Sequence, residues 1–91
     1  MNYYTGAFWG YRYLYGDKGL TTDPKNAENA VLLYQMYVHT YPKMHGSYYF
    51  LGLAYLAQKD TIKAIGQFRR SLELHPFNPY AKKQLEKLEK L

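Results

Sequence analysis

Apolar residues recur at helical spacing along most of this 91-residue chain, and Pro, Gly and Asp/Asn punctuate the runs. Leu51, Gly52 and Tyr55 fall at helical spacing within Ser47 to Ala57. A mid-helix glycine costs roughly 1 kcal/mol against Ala. That cost is tolerated where a second helix must come close, and Ala64 and Ala54 are candidates for the facing surface. Asp60 can accept a backbone N–H at the start of the next helix. Ile62, Ile65, Phe68 and Leu72 then repeat as one apolar stripe. Pro76 lacks an N–H and biases His75 out of helix, so this helix stops near Leu74. Two helices joined by about three residues must run antiparallel.

The same signals extend in both directions. Asp23-Pro24 reads as an N-cap followed by proline at the first helical position. Ala27, Ala30, Val31, Tyr34 and Val38 form its stripe, and Pro42 ends that helix after Thr40 or Tyr41. Asn78-Pro79 opens a last helix on Ala81, Leu85 and Leu88, with charged residues elsewhere round it. The first helix, Tyr3 to Tyr15, is apolar or aromatic on all sides, with Tyr3, Tyr4, Phe8, Trp9, Tyr11, Tyr13, Leu14 and Tyr15. Gly16 to Thr22 reads as a loop. The expected elements are five helices, at about 3–15, 24–40, 46–57, 61–74 and 79–90, in an all-α fold.

Tyr48, Leu51, Gly52, Tyr55, Ala64, Phe68, Ser71 and Pro76 spell Y-x2-L-G-x2-Y-x8-A-x3-F-x2-S-x4-P. This resembles a tetratricopeptide repeat, a helix pair of roughly 34 residues whose marks are L-G, Tyr, Ala, an aromatic and a closing Pro. Ser71 departs from the usual small residue, Ala, and is itself small. Ala30, Tyr34 and Pro42 keep the mutual spacing of Ala64, Phe68 and Pro76, and Trp9-Gly10-x2-Tyr13 matches the first-helix core. The stretch from Tyr13 to Ala30 is longer than that from Tyr55 to Ala64, and its Gly16, Gly19, Leu20 and Asp23 resemble the longer glycine turn of a related helix-pair family. The resemblance implies one domain: a divergent repeat over 1–44, a full repeat over 45–78 and a capping helix over 79–91, stacked as an α-solenoid of antiparallel hairpins.

In that family the first helix of each pair lines a concave groove. Carried over by position, the resemblance puts Tyr49, Leu53 and Leu56 in the groove, with Tyr4, Tyr11 and Leu14 from the divergent repeat and Tyr80, Lys83 and Lys87 from the capping helix. Relatives that grip a C-terminal carboxylate use Lys and Asn where this chain has Tyr49 and Leu53, so no carboxylate clamp is expected. A tyrosine-rich groove suits an apolar helix or strand, the phenols making the polar contacts. Inter-repeat core is the competing role for several of these side chains.

Composition narrows the function without naming it. The net charge is +5, with four basic and three acidic side chains over 1–44 against eight and four over 45–91. Arg69, Arg70, Lys82, Lys83, Lys87 and Lys90 make the excess. Such a patch attracts an acidic partner or a nucleic-acid backbone, while Glu86 and Glu89 among the lysines suit a solvated helix face. There is no cysteine, which removes disulfides and thiolate chemistry. No apolar run reaches the length of a membrane span, and no basic-then-apolar leader opens the chain, so a cytoplasmic setting is the default. The three histidines, His39, His45 and His75, lack the cysteines or carboxylates at ligand spacing that a zinc site needs. Neither a G-x-S-x-G turn nor a G-x-x-x-x-G-K-[ST] loop is present.

These observations lead to a non-enzymatic interaction scaffold with no cofactor, binding protein or peptide, and working within a larger protein or assembly. Its alternatives are an appendage of a larger enzyme and nucleic-acid binding through the basic C-terminal half. The aromatic first helix needs covering on all sides. A two-fold dimer, the same patch meeting itself, is the expected arrangement of the isolated chain.

Overall fold

The computed structural model describes residues 11–16 and 19–90. The chain is mostly helical. Residues 11–14 are helical (α1). They are followed by β1 (Tyr15–Gly16), β2 (Gly19–Leu20), α2 (Pro24–Thr40), α3 (His45–Ala57), α4 (Thr61–Leu74) and α5 (Pro79–Glu89). The first part of the helix expected from Tyr3 to Tyr15, up to Gly10, with Tyr4, Phe8 and Trp9 and the dimer face they were to form, lies outside the described residues. Tyr15, expected to be helical, instead pairs with Leu20, and Gly16 with Gly19, as two short antiparallel strands. So the segment expected to be a plain loop is a hairpin. Gly19 has φ +97°, a conformation that glycine adopts without steric cost.

Local capping sets the helix limits. Asp23 Oδ1 accepts from the Lys25 N–H at 2.9 Å, and Asp60 Oδ1 from the Lys63 N–H at 3.1 Å. Asn78 Oδ1 accepts from the Tyr80 and Ala81 N–H groups at 3.0 and 3.4 Å. Proline occupies the first turn of both α2 and α5. Each cap satisfies N–H groups that have no partner within the helix. The end of α3 is more unusual. Lys59 N–H bonds the Leu56 carbonyl at 2.8 Å and Asp60 N–H the Tyr55 carbonyl at 2.9 Å, with Lys59 at φ 64°. This is a Schellman closure with lysine at the left-handed position where glycine is usual. Asp60 thereby closes α3 and opens α4.

Each helix from α2 to α5 packs on the next in sequence. α3 and α4 run antiparallel: the Ser71 hydroxyl, near the end of α4, donates to the carbonyl of His45 at the start of α3, at 2.9 Å. The start of α2 lies beside the end of α3, where Thr22, Pro24 and Glu28 border the same concavity as Ala57 to Asp60. α3 is therefore covered on both sides, by α2 and α4. This explains why Ser47, Tyr48, Leu51, Gly52, Leu53, Ala54 and Tyr55 are all buried: a helix apolar all round has to be enclosed.

Gly52 marks a close approach of α3 to α4, and the side chain nearest to it is Phe68. A Cβ there would lie 2.6 Å from the ring of Phe68, which is fully buried. The stripe expected on α4 also needs correction. Ala64, Phe68 and Ser71 are buried, but Ile62 is 85% exposed. Phe68 lies six residues beyond Ile62, and at about 100° per residue that places the two about 120° apart round the helix. On α2 the deepest aromatic positions are Tyr34 and Tyr37, while Val38 is half-buried.

Candidate functional site

α1, α3 and α5 each bring a tyrosine to one concave face. Tyr11 stacks on Tyr15, ring centroids 4.7 Å apart, and meets Phe50 edge-on at 6.3 Å. Tyr49 packs against Phe50 at 5.4 Å, Phe68 at 5.8 Å and Tyr80 at 6.3 Å. Together with His45, Gly46 and Asn78, the residues Tyr11, Tyr49, Phe50 and Tyr80 line a shallow pocket of about 360 Å³. A larger concavity of about 600 Å³ lies where α2 begins and α3 ends, but Asp60 there is committed to capping α4.

Electrostatics follow from the crowding of phenols. Burial pushes Tyr49 up to about 12; the neighbouring phenols of Tyr15, Tyr11 and Tyr80 add to this and a hydrogen bond with Gln84 opposes it. Burial and then Tyr11 likewise raise Tyr15. These phenols stay neutral at ordinary pH, so the face offers aromatic surface and hydroxyl hydrogen bonds without negative charge.

The expected groove residues separate into three sets. Tyr11, Tyr49 and Tyr80 meet at the pocket, Tyr80 being 69% exposed. Leu14 and Leu53 are core residues, 0% and 2% exposed, and have no surface to offer. Both belong to the buried cluster. Leu56 is partly covered against the same cluster. Lys83 and Lys87 are exposed on α5, at i+3 and i+7 from Tyr80 and so on its side of the helix. Tyr4 lies outside the described residues. Phe50, His45 and Asn78 were not expected here. Phe50 stands next to Tyr49 in an apolar run that gives no directional cue. His45 and Asn78 are 33 residues apart and meet only through the fold.

The basic surface divides as well. Arg69 pairs with Glu89 at 3.0 Å and Arg70 with Glu73 at 2.7 Å. Lys83 and Lys87 form no ion pair among the described residues. Glu89 faces α4 through Arg69 and Gln84 faces Tyr49; the two lysines share the exposed side of α5 that carries Tyr80 and are not among the residues lining the pocket. Among the described residues no cluster of three His, Asp or Glu side chains could hold a metal ion, and no helix is long and apolar enough to cross a membrane. No family model and no curated protein matches the chain.

Proposed function

We propose that this chain is a non-catalytic binding module, built from tetratricopeptide-like helix pairs, that holds an apolar segment of another protein against its tyrosine face. The observation that carries the reading is the pocket of Tyr11, Tyr49, Phe50 and Tyr80, with Lys83 and Lys87 exposed on the side of α5 that carries Tyr80. The repeat reading is supported by the antiparallel α3–α4 pair, the Gly52–Phe68 approach, and α5 following as a one-sided helix on Ala81 and Leu85. Aromatic rings give large contact area at small entropic cost, and phenol groups supply directional bonds to a backbone. The unpaired lysines select for charge: an apolar segment flanked by Asp or Glu is favoured over one flanked by Lys or Arg.

The test uses a displayed peptide library and fluorescence anisotropy on the selected sequences. Acidic-flanked apolar peptides are expected to bind, and to weaken about tenfold or more with Tyr80→Ala, in keeping with the loss of an aromatic anchor. Lys83→Glu with Lys87→Glu is expected to reverse the flank preference. Equal binding of acidic- and basic-flanked peptides, or binding indifferent to Tyr80→Ala, overturns the reading.

A further inference from the structure

We infer that His45 is a proton-operated latch, holding the first turn of α5, and with it Tyr80, against the rest of the fold in neutral solution and loosening it in mild acid. The inference starts from Asn78, which is almost wholly buried. Its Oδ1 is committed to the N–H groups of Tyr80 and Ala81, so its amide nitrogen must point the other way. There it reaches Ser71 Oγ and His45 Nδ1, both at 3.3 Å. Ser71 already donates its hydroxyl proton to the His45 carbonyl, leaving a lone pair to accept from Asn78. An amide nitrogen only donates. His45 Nδ1 must therefore offer a lone pair, and the ring proton sits on Nε2.

This network ties three helix ends together: the start of α3, the last turn of α4 and the cap of α5. Every donor in it has an acceptor only while Nδ1 is bare. A proton on Nδ1 would set N–H against N–H. Turning the Asn78 amide over would relieve that clash, but it would remove the acceptor from the first two N–H groups of α5. Two further features oppose the proton. His45 is the first residue of α3, at the positive end of the helix dipole. The His75 ring lies edge-on to it, centroids 4.6 Å apart. Among the described residues, the titratable groups around the ring are His75 at the end of α4, Tyr11 from α1, Tyr49 on its own helix and Tyr80 from α5. Burial, and then His75, hold His45 below its ordinary value.

The sign follows from linkage. A histidine lowered in the folded state leaves the unfolded chain with more bound protons in acid. Its share of stability is complete above about 6.5, its ordinary value, and is lost as pH falls from there through the lower folded value. The consequence for a partner rests on the binding reading above, since Tyr80 is part of that face. The latch itself needs no partner to be measured.

The experiment is NMR of the whole chain between pH of about 7.5 and 4.5. Ring ¹⁵N shifts report the His45 tautomer and midpoint, and amide exchange, corrected for its intrinsic pH dependence, reports protection of Tyr80, Ala81 and the rest of α5. The expected result is an Nε2–H tautomer with a midpoint below 6.5. Protection in α5 should fall towards tenfold for each pH unit separating that midpoint from 6.5. In His45→Gln, whose side-chain oxygen can accept from Asn78 and cannot titrate, α5 protection should not change with pH. An Nδ1–H tautomer, a midpoint at or above 6.5, or an unchanged pH response of α5 in His45→Gln overturns the inference. The wild-type tautomer and midpoint decide it alone if that variant does not fold. Failure of every peptide to bind would sink the binding reading and leave these outcomes untouched.

Discussion

Gly52→Ala should destabilise the chain, against the usual preference of helices for alanine. Two effects of opposite sign compete. Alanine in mid-helix gains roughly 0.5–1 kcal/mol over glycine from backbone entropy. Against this, the added Cβ would meet Phe68 ring carbons at 2.6, 2.8 and 2.9 Å. Ordinary carbon contacts begin near about 3.5 Å, so the ring or the helix must move by most of an ångström. Phe68 has nowhere to go: it is fully buried and packed against Tyr49. Overpacking of this kind costs about 1–3 kcal/mol, and a rigid, fully buried ring belongs at the upper end. The net loss should be about 1–2 kcal/mol, a fall in Tm of roughly 4–16 °C for a domain of this size. Gly66 supplies the control within the same molecule. It is exposed, with nothing within 4 Å of a Cβ, so Gly66→Ala keeps only the favourable effect and should gain roughly 0.5–1 kcal/mol. Thermal unfolding followed by far-ultraviolet circular dichroism measures both. A double-mutant cycle with Phe68→Leu adds the cause: trimming the ring should recover part of the Gly52→Ala loss. Two alanine variants shifted in the same direction, or a cycle with no coupling, would refute the reasoning.

Lys59→Gly should stabilise the chain, because a left-handed lysine costs about 1–2 kcal/mol while the greater unfolded-state freedom of glycine returns only about 0.4–1 kcal/mol of that; chemical denaturation showing a loss would contradict the Schellman reading of φ 64°. Tyr49 should ionise near pH 12, and its raised value contributes stability that is complete below about 10 and lost as pH rises through about 12. Difference titration of Tyr49→Phe against wild type in the tyrosinate absorbance checks this, and a phenol disappearing at an ordinary midpoint near 10 would refute it.

Much of the fold was legible because its signals are local. Asp23-Pro24, Asp60, Asn78-Pro79, Pro42 and Pro76 each act within a few residues, and four helices begin and end within one residue of where those signals put them. The hairpin of Tyr15–Gly16 with Gly19–Leu20 was missed because two residues per strand leave no alternation to read. Ile62 was misplaced because a spacing of six satisfies a stripe on paper while pointing elsewhere round the helix.

The candidate site was legible only in part, for a different reason. On α3 nearly every side chain is apolar, so periodicity cannot separate Tyr49, which reaches the pocket, from Leu53, which is enclosed. That distinction is decided by which neighbours cover each position: Leu53 is enclosed in the buried cluster, while Tyr49 reaches the pocket bordered by Tyr11 of α1 and Tyr80 of α5. Leu14 is lost to the core in the same way, a residue that any apolar groove would accept but that tighter burial claims first. The polar network beneath the pocket lies further out of reach still. Asn78 is legible as a cap from its own neighbourhood, yet the cap is what fixes its amide nitrogen towards His45 and Ser71. The local signal thus determines a distant contact whose partners no spacing rule would pair. Where a cap residue is also buried, its second hydrogen-bonding group must find a partner across the fold. Here that partner is a titratable ring on the wall of the pocket.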